Sequence, residues 1–208
     1  MDVLYWHSPS QQVKGGTTTL KRLFVFATLF YNSIMLMSKK LTIKIATKKD
    51  APWIMESIDA CRPIMATFDS DQWQGQEPSM KTIQKDIQQK QSYLFVDQKV
   101  RIGGVAILNH DDAYQSLRKG QWLNDEPYMV LHRFFIAPAF QGKKLSISFL
   151  NTIEDWVVQH GYHNIRVDTH ERNLPMRGLL KKLKYQEVGQ AWLPHAGMRL
   201  VYHKVLGD

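Results

Sequence analysis

Between Arg133 and Leu150 the chain reads RFFIAPAFQGKKLSISFL. An apolar run from Met129 to Ala137, broken only by His132 and Arg133, stops at Pro138. A short turn with Gln141 and Gly142 follows, and a helical pattern takes over from Lys143 to His160. A strand that feeds a helix through a small, basic turn can hold phosphate, because the first amides of the helix point outward and the helix dipole favours negative charge there. The stretch is therefore either a seat for a pyrophosphate-bearing ligand or an ordinary strand-to-helix connection, and by itself it does not choose.

A longer comparison does choose. Phe134 to Ser146 resembles the acetyl-CoA-binding motif of the GNAT acetyltransferase superfamily: apolar-x-Val, a Pro-containing turn, then Arg/Gln-x-x-Gly-x-Gly/Ala. A second block, IRVDTHERNLPMRGLLKKLKY from Ile165 to Tyr185, resembles the family's next strand, its Asn at a helix start and its closing Lys-x-Gly-Phe. Lys184 stands there for the Gly and Tyr185 for the Phe. The resemblance runs from about Leu41 to Leu206. It implies a mixed α+β fold with a central, largely antiparallel sheet, flanking helices and one splayed parallel strand pair. The implied activity is transfer of acetyl from acetyl-CoA to a primary amine by direct attack, as in bacterial small-molecule or protein amine acetyltransferases. Acetyl-CoA is then a co-substrate, and no metal is implied.

The resemblance also assigns residues. The backbone of Phe134, Phe135 and Ile136 would pair with the pantetheine arm like an added strand. The turn with Gln141, Gly142, Lys143, Lys144, Leu145, Ser146 and Ile147 would hold the pyrophosphate. Asn173 would contact the arm and also cap its own helix. The sequence departs from the pattern at Lys144, where Gly is usual, and at Ser146, where Gly or Ala is usual. Acyl transfer needs a neutral amine, so a general base helps. Asp168, where some members place a catalytic carboxylate, is the first candidate, with His132 and His170 as alternatives; a strand Asp can equally be structural, bonded to backbone or to Arg166. The Tyr that often protonates the leaving thiolate, seven residues after the Asn, is Leu180 here. The loop Phe68 to Glu77, with its carboxylates and Trp73, would line the acceptor pocket, a lining suited to a cationic amine.

The elements that must position these residues are readable from pattern. Lys40 to Thr47 alternates as a half-buried strand, with Leu41, Ile43 and Ile45 on the inner face and Thr42, Lys44 and Ala46 on the other. A helix carrying Ile54, Ile58, Ala60 and Cys61 follows, with Pro63 ending or kinking it, and Ser79 starts a second helix with Ile83 and Ile87 on one face. Ser92–Asp97 and Arg101–Asn109 form a hairpin around Gln98 and Lys99, and Asp111 to Glu126 is a loop. The strand Tyr128 to Ala137 is apolar on both faces and so is covered on both sides. Gly161 stops the long helix, Asn164 to His170 is the parallel partner strand, and Asn173 opens a last helix with Leu179, Leu180 and Leu183 buried. Tyr185–Leu193 and Arg199–Leu206 close the chain as a hairpin.

Composition sets the outer limits. With 208 residues, 44% hydrophobic and 22% charged, the chain suits one domain, residues 39–208, plus an arm, residues 1–38. One cysteine, Cys61, excludes an intrachain disulfide and a thiolate-rich metal site, and fits a reduced, cytoplasmic setting. The net charge of +8 favours an anionic partner, for which coenzyme A suffices. The basic residues are scattered without interleaved aromatics, which argues against nucleic acid. In the arm, Leu23 to Met37 is an apolar run short of the roughly 20 residues a membrane span needs. The arm is expected to be disordered, an artefact of the assigned start, or a membrane-surface helix, and membrane contact would come only through residues 23–37. Two rival functions stay open: a non-catalytic coenzyme-A-binding module, which Leu180 and Lys144 suggest, and an RNA-associated protein, which the charge suggests.

Overall fold

The computed structural model describes residues 41–207 except Ser116 and His195, so the arm lies outside the described residues. Among the described residues eight strands form one sheet in the order β1-β2-β3-β5-β6-β8-β7-β4. These are β1 (Leu41–Ile45), β2 (Ser92–Asp97), β3 (Val100–Leu108), β4 (Lys119–Gly120), β5 (Met129–Ile136), β6 (Asn164–Thr169), β7 (Gln186–Leu193) and β8 (Gly197–Val205). All neighbours are antiparallel except β5 and β6. Four α-helices among the described residues accompany the sheet: α1 (Ala51–Ala66), α2 (Met80–Gln88), α3 (Leu145–Gln159) and α4 (Leu174–Lys182). The mixed α+β fold with a parallel pair inside an antiparallel sheet is the architecture expected from the sequence.

Strand alternation sends β2 side chains to two cores. Leu94 and Val96 join Ile54, Ile58, Cys61, Ile83 and Ile87 of α1 and α2. Phe95 turns the other way and stacks on Phe149 of α3 at 4.0 Å between ring centroids. Val130 and Leu131 of β5 are buried, as a strand covered on both faces requires. In β3, Gly103 and Gly104 let β5 approach closely. A Cβ on Gly103 would stand 2.3 Å from the Phe135 carbonyl oxygen, and one on Gly104 2.8 Å from the Phe135 ring.

Local chemistry explains the boundaries. Thr47 and Asp50 cap the turn into α1: Thr47 N donates to Asp50 Oδ2 at 2.9 Å. Ser79 accepts from Thr82 N at the start of α2. Gly161, at φ 81°, follows α3. Pro63 does not end α1; the helix runs on to Ala66. The bond that Pro63 cannot make falls at Asp59, which is solvent-exposed, so water can take the orphan carbonyl. Three further expectations change. Ile45 is 47% exposed, because β1 is an edge strand whose burial fades toward its end, and Ala60 faces solvent. The loop after β3 contains β4, which pairs with β7. No helix among the described residues is long and apolar enough to cross a membrane.

On β8, His203 is fully buried. Its Nδ1 accepts from Leu123 N at 3.1 Å, which leaves its hydrogen on Nε2, 3.0 Å from Asn164 Oδ1. Burial, with the Arg166 charge nearby, pushes its pKa down to about 4. The unfolded chain thus binds a proton near pH 6.5 that the folded chain refuses, and stability is lost as pH falls from 6.5 toward 4. Between pH 7 and 4.5 this one group should remove about 2–3 kcal/mol of unfolding free energy. Urea denaturation of the native chain and of His203→Gln at both pH values should show the gap between them narrowing by that amount in acid.

Candidate active site

The parallel pairing of β5 with β6 covers only Met129↔Ile165, Val130↔Arg166 and Leu131↔Val167. Beyond it β5 stays with β3 and β6 stays with β8, so the two strands part. A bulge marks the parting. Ala106 faces His132 and Gly104 faces Phe135, which leaves one extra residue on β5, and Arg133 takes φ 52° to accommodate it. Between the parted strands lies a cleft of about 670 Å³. Of the residues expected to hold coenzyme, Phe134, Phe135, Ile136, Gln141, Ser146 and Asn173 line this cleft. Gly142, Lys143 and Lys144 are exposed on the turn beyond β5, and Leu145 and Ile147 are half-buried in the first turn of α3.

The turn is built for an open helix start. Gly142 has φ 75° and Lys144 φ 58°, and no side chain caps α3. Left-handed backbone explains why the family pattern carries glycine at the Lys144 position: a side chain there costs about 1–2 kcal/mol. Gln141 does not reach toward the helix amides. Its Nε2 donates to the Ile136 carbonyl at 2.9 Å and lies 3.4 Å from Cys61 Sγ, so it closes the turn onto the end of β5. Burial pushes the Cys61 thiol up, which keeps it a packing thiol and not a nucleophile.

At the other wall, Asn173 Oδ1 accepts from Met176 N at 3.2 Å and caps α4. Its Nδ2 donates to Gln72 Oε1 at 3.1 Å. Gln72 Oε1 also lies 3.3 Å from Thr169 Oγ1 and 3.4 Å from His170 N, so one loop amide gathers the end of β6 and the start of α4. Arg62 holds that loop to α1 by donating to the carbonyls of Trp73, Gly75, Glu77 and Pro78. The loop's carboxylates are engaged in the same task. Asp69 pairs with Arg172, and Asp71 lies 3.0 Å from buried Arg199 and 3.4 Å from His170 Nε2. Glu77 accepts from Ser79 and Thr82 at the start of α2, and these bonds overcome its burial and lower its pKa. Asp71, Gln72, Trp73 and Glu77 nevertheless line the cleft. His170 accepts from Arg172 N at Nδ1, 3.1 Å, so both its nitrogens are engaged in the loop.

Two of the three base candidates, His132 and Asp168, converge at the apex, one residue past the last strand pair on each side, whereas His170 stays with the loop. Asp168 Oδ1 accepts from Tyr114 Oη at 2.7 Å and lies 3.4 Å from His132 Nδ1. His132 Nε2 is 2.6 Å from Asp111 Oδ2. Burial alone would push the His132 pKa down, but Asp111 and Asp168 outweigh it and hold the pKa above the ordinary imidazole value. Burial pushes Asp111 up, and His132 with the Ala113 amide brings it below the usual carboxylate range. Burial and the Asp168 charge drive the Tyr114 hydroxyl well up, so it remains a donor. Behind them, buried Asp86 lies 2.7 Å from Arg133 Nε, and burial raises its pKa despite that pairing. Leu180 is fully buried in the core; α4 turns Pro175, Met176 and Leu179 to the cleft. Asp111, Tyr114, Asp86 and Gln72 escaped the sequence reading, because loop residues and a lone helix Asp carry no periodicity or spacing that marks them.

Among the described residues no group of His, Cys, Asp or Glu is arranged to hold a metal ion. The acetyltransferase (GNAT) family model matches residues 58–185. An acetyltransferase of the GNAT family from Streptococcus agalactiae 2603 is 30% identical with a TM-score of 0.74, over 82% of this chain and 98% of that one. Two more distant structures share the fold. The aminoglycoside acetyltransferase AAC(6')-Ib in complex with coenzyme A is 16% identical with a TM-score of 0.60, over 80% of this chain and 95% of that one. The protein yncA of Salmonella typhimurium, solved with its cofactor acetyl-CoA, is 16% identical with a TM-score of 0.57, over 82% and 96%. No curated protein matches the chain in sequence.

The left-handed Lys144 makes a stability test of the turn. Lys144→Gly should raise the unfolding free energy by roughly 0.5–1 kcal/mol, the relieved strain less the greater freedom of glycine in the unfolded chain. Urea denaturation measures it, and a destabilised variant would mean that the Lys144 side chain makes an offsetting contact.

Proposed function

The chain belongs to the GNAT family of acetyltransferases, and from that footing we propose that it moves an acetyl group from acetyl-CoA to a primary amine by direct attack of the amine on the thioester. The observation that carries the reading is the opening between β5 and β6. One side offers a strand edge without a partner beyond Leu131, followed by an uncapped helix start; the apex holds an acidic, largely buried side chain, Asp168.

Each residue then has a task. The edge of Phe134, Phe135 and Ile136 suits the amides of the pantetheine arm, as in strand addition, with the Ile136 carbonyl already held by Gln141 Nε2. The amides from Gly142 to Ile147 suit the pyrophosphate, with Lys143 and Lys144 adding positive charge at the exposed turn. Asn173 can meet the arm only by giving up Gln72 as the partner of its Nδ2. Asp168 Oδ2, which makes no hydrogen bond among the described residues, takes a proton from the incoming ammonium, and the freed lone pair attacks the thioester carbon. Holding the two reactants in one cleft supplies much of the rate. With Leu180 in the core, the departing thiolate takes its proton from water or from the acylated nitrogen, which its modest basicity allows.

The acceptor is a small molecule or a peptide amine. The distant relative AAC(6')-Ib, seen with ribostamycin and with kanamycin, favours a small-molecule amine. Use of acetyl-CoA, with a lone buried thiol, suits the cytoplasm.

Three measurements test this reading. Acetyl-CoA turnover with a panel of primary amines should yield at least one acceptor; tight acetyl-CoA binding without turnover on any would favour the non-catalytic module. Gly142→Glu sets a carboxylate against phosphate and adds a side chain at φ 75°, so calorimetry should show weakened acetyl-CoA binding. Asp168→Asn should keep coenzyme affinity and lower kcat about 10²–10⁴-fold. Unchanged turnover in a folded variant would remove Asp168 from the chemistry.

A further inference from the structure

The apex holds more than a base. The loop after β3 sends two side chains into it, Asp111 and Tyr114, and they close a ring with one residue from each parted strand, the last link being the bond from Tyr114 N to the Asp111 carbonyl at 3.0 Å. Tyr114 Oη meets Asp168 Oδ1 at 2.7 Å; Asp168 Oδ1 faces His132 Nδ1 at 3.4 Å; His132 Nε2 meets Asp111 Oδ2 at 2.6 Å. Asp111 is itself fixed by the Ala113 amide on its other oxygen, at 2.9 Å. Every contact to Asp168 falls on Oδ1, and none among the described residues falls on Oδ2.

We propose that Tyr114 is the positioning residue that turns Oδ2 of Asp168 to the acceptor amine, and that Asp111, through the charge state of His132, sets how readily Asp168 takes the proton. This rests on the acetyl-transfer reading above. The groups facing His132 are Asp111 and Asp168 on its two nitrogens, Arg133 beside it with Asp86 behind, and the Tyr114 ring at 5.9 Å. As an imidazolium, His132 donates from both nitrogens, and its positive charge repels the proton arriving from the ammonium. As a neutral ring it keeps its hydrogen on the short bond to Asp111, and Asp168 is free of that charge. The step itself is one proton transfer: an N–H bond of the ammonium breaks and an O–H bond forms on Asp168. Turnover should therefore rise with pH as His132 loses its proton, along an acid limb above the ordinary imidazole value, the direction in which its two carboxylates hold it.

Asp111→Asn removes a carboxylate that favours the imidazolium. Both the acid limb of kcat/KM and the titration of the His132 ring, followed by NMR, should move down by about one pH unit or more. KM for acetyl-CoA should stay put. Tyr114→Phe keeps the ring packing and should lower kcat without moving the limb. His132→Gln should erase the limb. The kinetics use the fastest amine of the panel, and the ring titration needs no acceptor. A His132 titration unmoved in folded Asp111→Asn, or a limb that fails to follow it, overturns the proposal. If Asp168→Asn leaves turnover intact, the assignment of the base is what fails, and the ring titration still reports on the clamp.

Discussion

Where the pairing of β5 with β6 stops decides nearly everything else. Had the ladder continued past Leu131 and Val167, the sheet would be closed and no second chain or ligand could lie against β5. The bulge at Arg133 ends it. An extra residue in left-handed backbone is costly, and here it is held by the buried partnership of Arg133 with Asp86 on α2. Because the pair is parallel, both strands end at the same edge of the sheet. The helices that follow them, α3 and α4, therefore begin there too, and ligands of open sheets sit at that edge for this reason.

Side chains do the work that the missing strand pairing cannot. The Asp111–His132–Asp168–Tyr114 ring bridges the parted strands at the apex, and the Gln72 amide gathers the far wall. Both bridges come from loops, so the cleft is framed by strands but held at its width by connections. The charges follow the same logic. A chain of net charge +8 brings five carboxylates into the cleft lining, Asp71, Glu77, Asp86, Asp111 and Asp168, each with a cation or hydrogen-bond donor of its own. Such pairs add little net stability, since desolvation offsets most of the attraction, but leaving one partner bare would be costly. They fix geometry.

The fold was largely legible because its elements announce themselves. Ile83 and Ile87 after Ser79, the apolar β5 ending at Pro138, Gly161 after a long helix and Asn173 before Pro175 are all local signals, and the element bounds agree with them closely. The cleft wall formed by Phe134, Phe135, Ile136, Gln141 and Ser146 was legible for the same reason, since it is one continuous stretch. The apex was legible by half. Asp168 and His132 lie on strands whose pattern singles out a polar residue in an apolar run, whereas Asp111 and Tyr114 sit in a loop and reach the site only through the fold. The sequence marks the acidic loop as an acceptor lining, while its carboxylates have partners among Arg172, Arg199 and the start of α2, as far as 128 positions away in sequence for Asp71. Pro63 misled because helix-breaking is a tendency of the residue, and solvent at Asp59 cancels it.

The paired glycines of β3 carry a consequence for redesign. Gly103 and Gly104 act as a mould for Phe135, and any side chain at either would collide with the backbone or ring of the strand that the cleft is cut from. Libraries aimed at new acceptors therefore have no freedom on that side of β5. The variable surface lies opposite, on the loop that Arg62 anchors and on the β7–β8 hairpin, whose Leu193, Pro194 and Ala196 reach the cleft. Diversity introduced there changes the shape of that wall of the cleft while the mould keeps the β5 wall constant, so the two walls can be engineered on separate schedules.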